Sequence, residues 1–404
     1  MRKIIEQRPR TKVEFWTDRK YYKNVVKITT EIGVRWGNKD QGTGPKKPYI
    51  RVRKIAAGKF NRYAGWYLRD YIKNISITLH DLIFKNIIGF IGFIAGIIQS
   101  FFRLMRKKNR PNVIFLKGGF VGLPVGLIAG LFKIPYVIHE SDATPGLANR
   151  ILMKKATVIA TGFDLDAVFN DRAQETKTKV INVGIPVAPE YKPVTESQQR
   201  ELKRAFGFDP DKLLVVITGG SQGSENINEA IREILPEMLD FISVGLVAGH
   251  IHYQGMTDLK DKYEIWENSH LQSNFRLWEF STVMHELMGA ADIVISRAGA
   301  TTIAELAALK RATILVPFER LAGNHQSKNA HMLEDIGAAL VVSDEKMQKK
   351  PELLLNAVSR VAKHPKERKV LAKNLHKTAR PDAAQHLAEI ILQVAVGESI
   401  GVGK

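Results

Sequence analysis

From Pro111 onward, short apolar runs rich in Val and Ile alternate with stretches whose apolar residues recur at helical spacing. The runs are Val113–Leu116, Pro135–His139, Thr157–Ala160, Val180–Val183, Leu213–Thr218, Ile242–Ala248, Asp292–Ser296 and Ala312–Pro317. Helices are predicted between them, at Pro124–Leu131, Asn226–Leu239 and Thr301–Leu309. Strand–helix alternation at this spacing predicts parallel sheets covered by helices on both faces, an α/β fold. Ile185–Pro193 carries three prolines and no helical period, so it reads as a linker between two such sheets.

Before Pro111 the pattern is different. Leu82–Leu104 is strongly apolar and contains the uninterrupted run Ile87–Ile98. Its uncharged window, Asn86–Phe102, lies at the low edge of the length that spans a bilayer, and a buried or interfacial helix is the preferred reading. Lys54, Lys59 and Arg62 precede it, and Arg103, Arg106, Lys107, Lys108 and Arg110 follow. The polar N-terminus lacks the apolar centre of a secretory signal.

Charge sharpens this contrast. The 404 residues hold 60 Lys+Arg against 41 Asp+Glu, a net of +19. Residues 1–110 alone hold 26 Lys+Arg and 7 Asp+Glu, so the whole excess lies there. Such segregation predicts an anionic partner. No recognition helix or RNP motif accompanies it, and nucleic acid is not expected. With no Cys, disulfide scaffolds, thiol nucleophiles and Cys-ligated metal sites are excluded.

Four segments carry candidate chemistry. Val215–Ser224 runs from a strand into Gly219, Gly220, Ser221, Gln222 and Gly223 and then into a helix. Glycines at a helix N-terminus suit a diphosphate, and a tight connection would read the same way. Ile114–Pro124 repeats the arrangement with Gly118 and Gly119. In Ser296–Glu305, Thr301 and Thr302 can cap a helix with Glu305 completing a capping box, or Glu305 can accept hydrogen bonds from a ribose diol. Pro317–Ala330 offers Asn324, His325, Gln326 and Asn329, suited to sugar hydroxyls or to a solvated loop. The Asp164–Asp166 D-x-D follows a strand, where Asp164 reads as a helix cap before it reads as a metal ligand.

Together these segments resemble the MurG family, through GGFVGLP (118–124), HESDATPGLANR (139–150), GGSQGS (219–224), RAGATTIAE (297–305) and NHQSKNA (324–330). The resemblance begins near Arg51 and implies a GT-B glycosyltransferase fold, two Rossmann-like parallel-sheet domains facing a cleft. It implies an acceptor and membrane-facing domain over 1–185, a UDP-GlcNAc-binding domain over 186–365, and a helical segment, 366–404, returning to the first. The implied reaction is inverting transfer of N-acetylglucosamine from UDP-GlcNAc to lipid I, the undecaprenyl-pyrophosphoryl-MurNAc-pentapeptide, with no cofactor and no metal. The implied location is the cytoplasmic face of the bacterial cell membrane, on an anionic phospholipid surface.

By the same resemblance, Gly219, Gly220, Ser221, Gln222 and Gly223 hold the diphosphate, and Glu305 holds the ribose. Ala300, Thr301, Thr302, Ile303 and Ala304 present the turn at the helix start, Gln326 and Asn329 contact the sugar, and uracil lies near Phe280 and Ser281. Gly118, Gly119, Phe120 and Asp142 face the acceptor. Three departures stand out. Asp142 occupies a position where many members carry Asn. Ala188 follows the Pro-Val at the junction where the family usually has a phosphate-binding Arg. The family's opening strand and GGTGGH-type turn, with the favoured base, have no counterpart, which predicts about 30 further residues upstream, one strand–turn–helix unit. His139, Glu140 and Asp142 remain as candidates for the base. The alternatives are an inactive UDP-sugar or lipid-pyrophosphate binding protein and a related glycolipid glycosyltransferase.

Overall fold

The computed structural model describes residues 2–8, 11–18, 23, 50–57, 75–163, 178–220, 222–259, 274–319 and 324–398. Ser221 and the Asp164–Asp166 pair lie outside the described residues, as do Lys59 and Arg62. The chain divides into two compact units, Met1–Gly184 with Asp382–Lys404, and Ile185–Pro381.

The first unit opens with α1 (Arg2–Gln7) and a two-stranded parallel sheet, β1 (Val13–Thr17) beside β2 (Ile50–Lys54). The long helix α2 (Ile75–Met105) follows. A four-stranded parallel sheet is then laid down in order by β3 (Ile114–Leu116), β4 (Tyr136–Glu140), β5 (Val158–Thr161) and β6 (Lys179–Asn182), with α3 (Gly119–Leu131) and α4 (Leu147–Leu152) between them. β4 and β5 are buried along their whole length, because both faces of the sheet are covered. Tyr136, Ile138 and Ile159 point into one apolar cluster with Val125 and Ile128 of α3. Val137, Val158 and Ala160 point into the other, the alternation that a strand imposes.

Helix α2 turns a small-residue face inward. A Cβ on Gly96 would stand 2.4 Å from the Ala56 carbonyl oxygen, so glycine permits the close approach to that segment. On its outer face Ile87, Ile91, Ile94, Ile98, Phe102 and Met105 are exposed at helical spacing, together with Ile88 and Phe90. The segment Asn86–Met105 is long and apolar enough to cross a membrane by length and composition. The apolar run is therefore largely an exposed stripe, flanked by exposed Arg106, Lys107 and Lys108.

The second unit holds a six-stranded parallel sheet of β7 (Leu214–Thr218), β8 (Ser243–Val247), β9 (Phe275–Trp278), β10 (Ile293–Ser296), β11 (Ala312–Leu315) and β12 (Leu340–Val341). Its spatial order is β12-β11-β10-β7-β8-β9. Among the described residues its helices are α5 (Glu196–Ala205), α6 (Glu225–Leu239), α7 (Met284–Ala290), α8 (Ala300–Leu309), α9 (His325–Asp335), α10 (Asp344–Lys349), α11 (Glu352–Lys363) and α12 (Pro365–Lys377). The last helix, α13 (Ala383–Val396), belongs to the first unit, where Leu387, Ile390 and Ile391 cover the second face of its sheet.

All eight strands expected after Pro111 form, within a residue or two of their expected ends. The helix expected at Pro124–Leu131 begins earlier, at Gly119, and carries Pro124 in its interior. β2, β9 and β12 had no sequence expectation; β12 is only two residues long, and β9 interrupts its apolar residues with Arg276.

Candidate functional site

In the second unit, chain order reverses between β7 and β10, which lie side by side with Thr218 opposite Ser296. A reversal of this kind opens a crevice at the carboxyl ends of the strands, because the two following connections diverge. The turn after β7 begins at Gly219 and the turn after β10 begins at Arg297, so two of the sequence-predicted segments start from one point. β11 pairs with β10 on its other side and leads into the third, Pro317–Ala330.

The first turn is closed tightly. A Cβ on Gly219 would fall 2.3 Å from the Ser224 backbone nitrogen, and one on Gly223 would fall 2.1 Å from the Ala248 oxygen. Gly220 and Gly223 also have φ of 83° and 77°, which glycine adopts without strain. Ser224 is the N-cap of α6, its hydroxyl accepting from the Ile227 N–H at 3.4 Å.

At α8 the capping-box alternative is not what forms. The N-cap is Gly299, with no side-chain cap, and Thr301 and Thr302 lie inside the helix. Glu305 is a full turn further on, beyond reach of the first N–H groups, which remain available to a ligand. Burial pushes the Glu305 carboxyl up to about 7, opposed by a hydrogen bond from Tyr191. Tyr191, at the end of the Pro-rich linker, is itself pushed up to about 12, first by burial and then by the Glu305 charge. Its ring meets His285 edge-on at 5.9 Å.

The third segment begins α9 at Asn324, a left-handed N-cap with φ 50°. Gln326 Oε1 accepts from the Phe318 N–H at 2.9 Å, folding the loop back on itself. Asn329 is fully buried and donates to the Ala298 carbonyl at 3.2 Å, tying α9 to the turn after β10. At the end of β9, Phe280 is half-exposed and stacks on His250 at 5.2 Å, while Ser281 Oγ accepts from the Val283 N–H. Gln222 is exposed beside the first turn.

One buried network underlies these loops and was not anticipated. Arg297 Nη2 donates to Ser224 Oγ at 2.5 Å, and Nη1 donates to Asp344 Oδ1 at 2.6 Å and to the Val316 carbonyl at 3.1 Å. Asp344 Oδ2 accepts from Asn226 Nδ2 at 2.7 Å. Asp344 stands 47 residues from Arg297 and has no local signature beyond a helix start, so only the fold could reveal the pair.

In the first unit, α3 starts from Gly118 and Gly119, both at positive φ, with Phe120 half-buried behind them. His139 is buried, and its Nε2 donates to the Gly184 carbonyl at 3.0 Å, leaving Nδ1 as the acceptor facing Ser141 Oγ. Burial lowers its pKa. Glu140 is also buried; it accepts from the Asp142 and Gly146 N–H groups and from Asn149 Nδ2 at 2.8 Å, pinning the loop before α4. Burial raises its pKa and those three bonds oppose the rise. Both side chains are committed to backbone geometry. Asp142 is the half-exposed carboxylate of the three candidates. Among the described residues, no three His, Asp or Glu side chains converge as a metal would need.

Comparison with known proteins follows the same two units. The glycosyltransferase family 28 N-terminal domain matches residues 50–161, and its C-terminal domain matches residues 214–387. A UDP-N-acetylglucosamine–N-acetylmuramyl-(pentapeptide) pyrophosphoryl-undecaprenol N-acetylglucosamine transferase of Caldicellulosiruptor saccharolyticus is 32% identical over 80% of this chain and 83% of its own. The transferase of the same name from Clostridium kluyveri is 35% identical over 77% of each chain. Among solved structures, Acinetobacter baumannii MurG superposes with a TM-score of 0.65 at 21% identity, over 97% of this chain and 94% of its own. A Neisseria meningitidis UDP-GlcNAc 2-epimerase bound to UDP-GlcNAc gives 0.56 at 13% identity, over 98% and 96%. The fold is GT-B.

Proposed function

This chain belongs to the MurG family of UDP-N-acetylglucosamine transferases, and from that premise we propose that it moves N-acetylglucosamine from UDP-GlcNAc onto lipid I, forming lipid II. The observation that carries the donor side is the pairing at the reversal of the second sheet. A glycine-rich turn and a short turn ending in Gly299 leave adjacent strands, and each opens a helix of ten residues or more whose first N–H groups point to its start. As the bond between the anomeric carbon and the diphosphate breaks, negative charge grows on the departing UDP. Fixed N–H dipoles at the starts of α6 and α8 stabilise that charge at little reorganisation cost. Gly219, Gly220, Ser221, Gln222 and Gly223 hold the diphosphate, with Ala300, Thr301, Thr302, Ile303 and Ala304 at the facing helix start. Glu305 accepts from the ribose hydroxyls, Gln326 and Asn329 fix the sugar-side loop, and Ser281 lies by the base.

The acceptor belongs to the first unit, at Gly118, Gly119, Phe120 and Asp142. Its C4 hydroxyl attacks from the face opposite UDP, with inversion. Both Glu140 oxygens are already bonded to their neighbours, while His139 donates through Nε2 and keeps its acceptor nitrogen, Nδ1, towards Ser141 Oγ. The exposed stripe of α2 and its basic C-terminal flank rest on an anionic cytoplasmic leaflet, where about 1 kcal/mol per well-placed basic residue adds to apolar insertion. UDP release from UDP-GlcNAc and a lipid I analogue tests the reading. The same two observations, His139 and Glu140 held in place, favour a second reading in which the donor is bound but not transferred. UDP binding without UDP release would select it.

A further inference from the structure

We infer that Arg297 is a positioning residue: it holds the turns after β7, β10 and β11 in one geometry by fastening them to the buried Asp344 carboxylate. The inference rests on the donor-site reading of those turns. β11, β10 and β7 are consecutive in the sheet, and each is followed by a segment that the reading assigns to the donor. A single guanidinium joins all three. It belongs to the turn after β10, it donates to Ser224, the cap of α6, and it donates to Val316 at the end of β11. Its carbon also lies 5.2 Å over the Phe318 ring, in the same loop as Val316.

Asp344 anchors the cluster from the start of α10. It is completely buried; Oδ1 accepts from Arg297, and Oδ2 accepts from Asn226, in the first turn of α6, and from Gln348 one turn further along α10. Asn226 therefore ties the same helix start to the same carboxylate. A buried ion pair is weak evidence of net stabilisation, because desolvation offsets much of the attraction. What this pair does supply is register. The planar fork has fixed directions, so Ser224, Val316 and Asp344 cannot shift separately without breaking a bond. A lysine keeps the charge but lacks the fork. The N–H groups of α6 and α8 keep a common focus only while the two helix starts stay fixed relative to each other, and the Arg297–Ser224 bond spans that gap.

The test is titration of the full-length chain with UDP and, separately, with uridine, for wild type, Arg297→Lys and Ser224→Ala. Uridine lacks the diphosphate and reports the rest of the pocket. Arg297→Lys should weaken UDP by about tenfold to a hundredfold, as loss of charge-assisted bonds allows, with uridine changed less than about twofold. Ser224→Ala leaves the Arg297–Asp344 pair intact and should give a smaller loss of the same kind, and the double variant should lose less than the two singles combined. Equal weakening of UDP and uridine, or a fall in melting temperature with UDP affinity unchanged in both variants, overturns the inference and leaves the donor-site reading standing. Wild type that binds no UDP overturns both.

Discussion

Glu305 is a carboxylate whose burial raises its proton affinity, with Tyr191 opposing the rise. The unfolded chain holds it near the ordinary 4.5, the folded chain near 7. A raised pKa of this kind favours the folded state below the unfolded value and loses that contribution as pH climbs through the folded one. Glu305→Gln removes the titration. Its stability relative to wild type should therefore rise from pH 5 to pH 8 in urea unfolding; a difference constant across that range would contradict the assignment. If the ionised form accepts the ribose diol, wild-type affinity for UDP should increase over the same interval relative to Glu305→Gln, and Glu305→Ala should weaken UDP-GlcNAc by about tenfold while the fold survives. The glycine turns could be read from the sequence because glycine has few substitutes at such positions. The partner of Glu305 could not, because Tyr191 sits in a segment that looks like a spacer. The Thr302–Glu305 spacing fits a capping box, yet the helix starts three residues too early to use it, with Gly299 as its N-cap.

At the scale of elements, the helix α2 makes two separable predictions. Its inward face depends on Gly96, so Gly96→Val should destabilise the first unit by about 1–3 kcal/mol in urea unfolding, through a clash with the Ala56 carbonyl that small shifts cannot relieve. Its outward face does not support the core. Replacing Ile91 and Phe102 by Ser should leave the unfolding midpoint close to wild type and cut sedimentation with anionic vesicles by at least about tenfold, since each apolar side chain contributes about 1–2 kcal/mol on insertion. A fall in stability with vesicle binding unchanged would show that the stripe packs against protein. The apolar run was plain in the sequence, but which side faces outward was not. Small residues and large apolar ones share the helix, and only packing sorts them. The same limit explains α3, whose paired glycines look like a loop although the helix already begins at Gly119.

For the whole molecule, the sequence period identified the four-stranded and six-stranded parallel sheets because buried strands need continuous apolar runs. The order of strands in the second sheet, the Arg297–Asp344 pair and the return of α13 to the first unit depend on residues far apart in the chain. The charge count belongs to this scale as well: the excess over residues 1–110 falls within the stretch of chain that also carries the exposed stripe. Vesicle binding should accordingly fall with added salt and require anionic lipid, because screening shortens the reach of those charges; insensitivity to both would remove the electrostatic part. The central claim is sugar transfer to a lipid-linked acceptor. It is tested most directly by incubating the purified chain with UDP-GlcNAc and a lipid I analogue, then measuring UDP and the disaccharide product together. Equal amounts of UDP and a β-linked disaccharide, both abolished without acceptor, are the predicted result. UDP binding with neither product formed would contradict it.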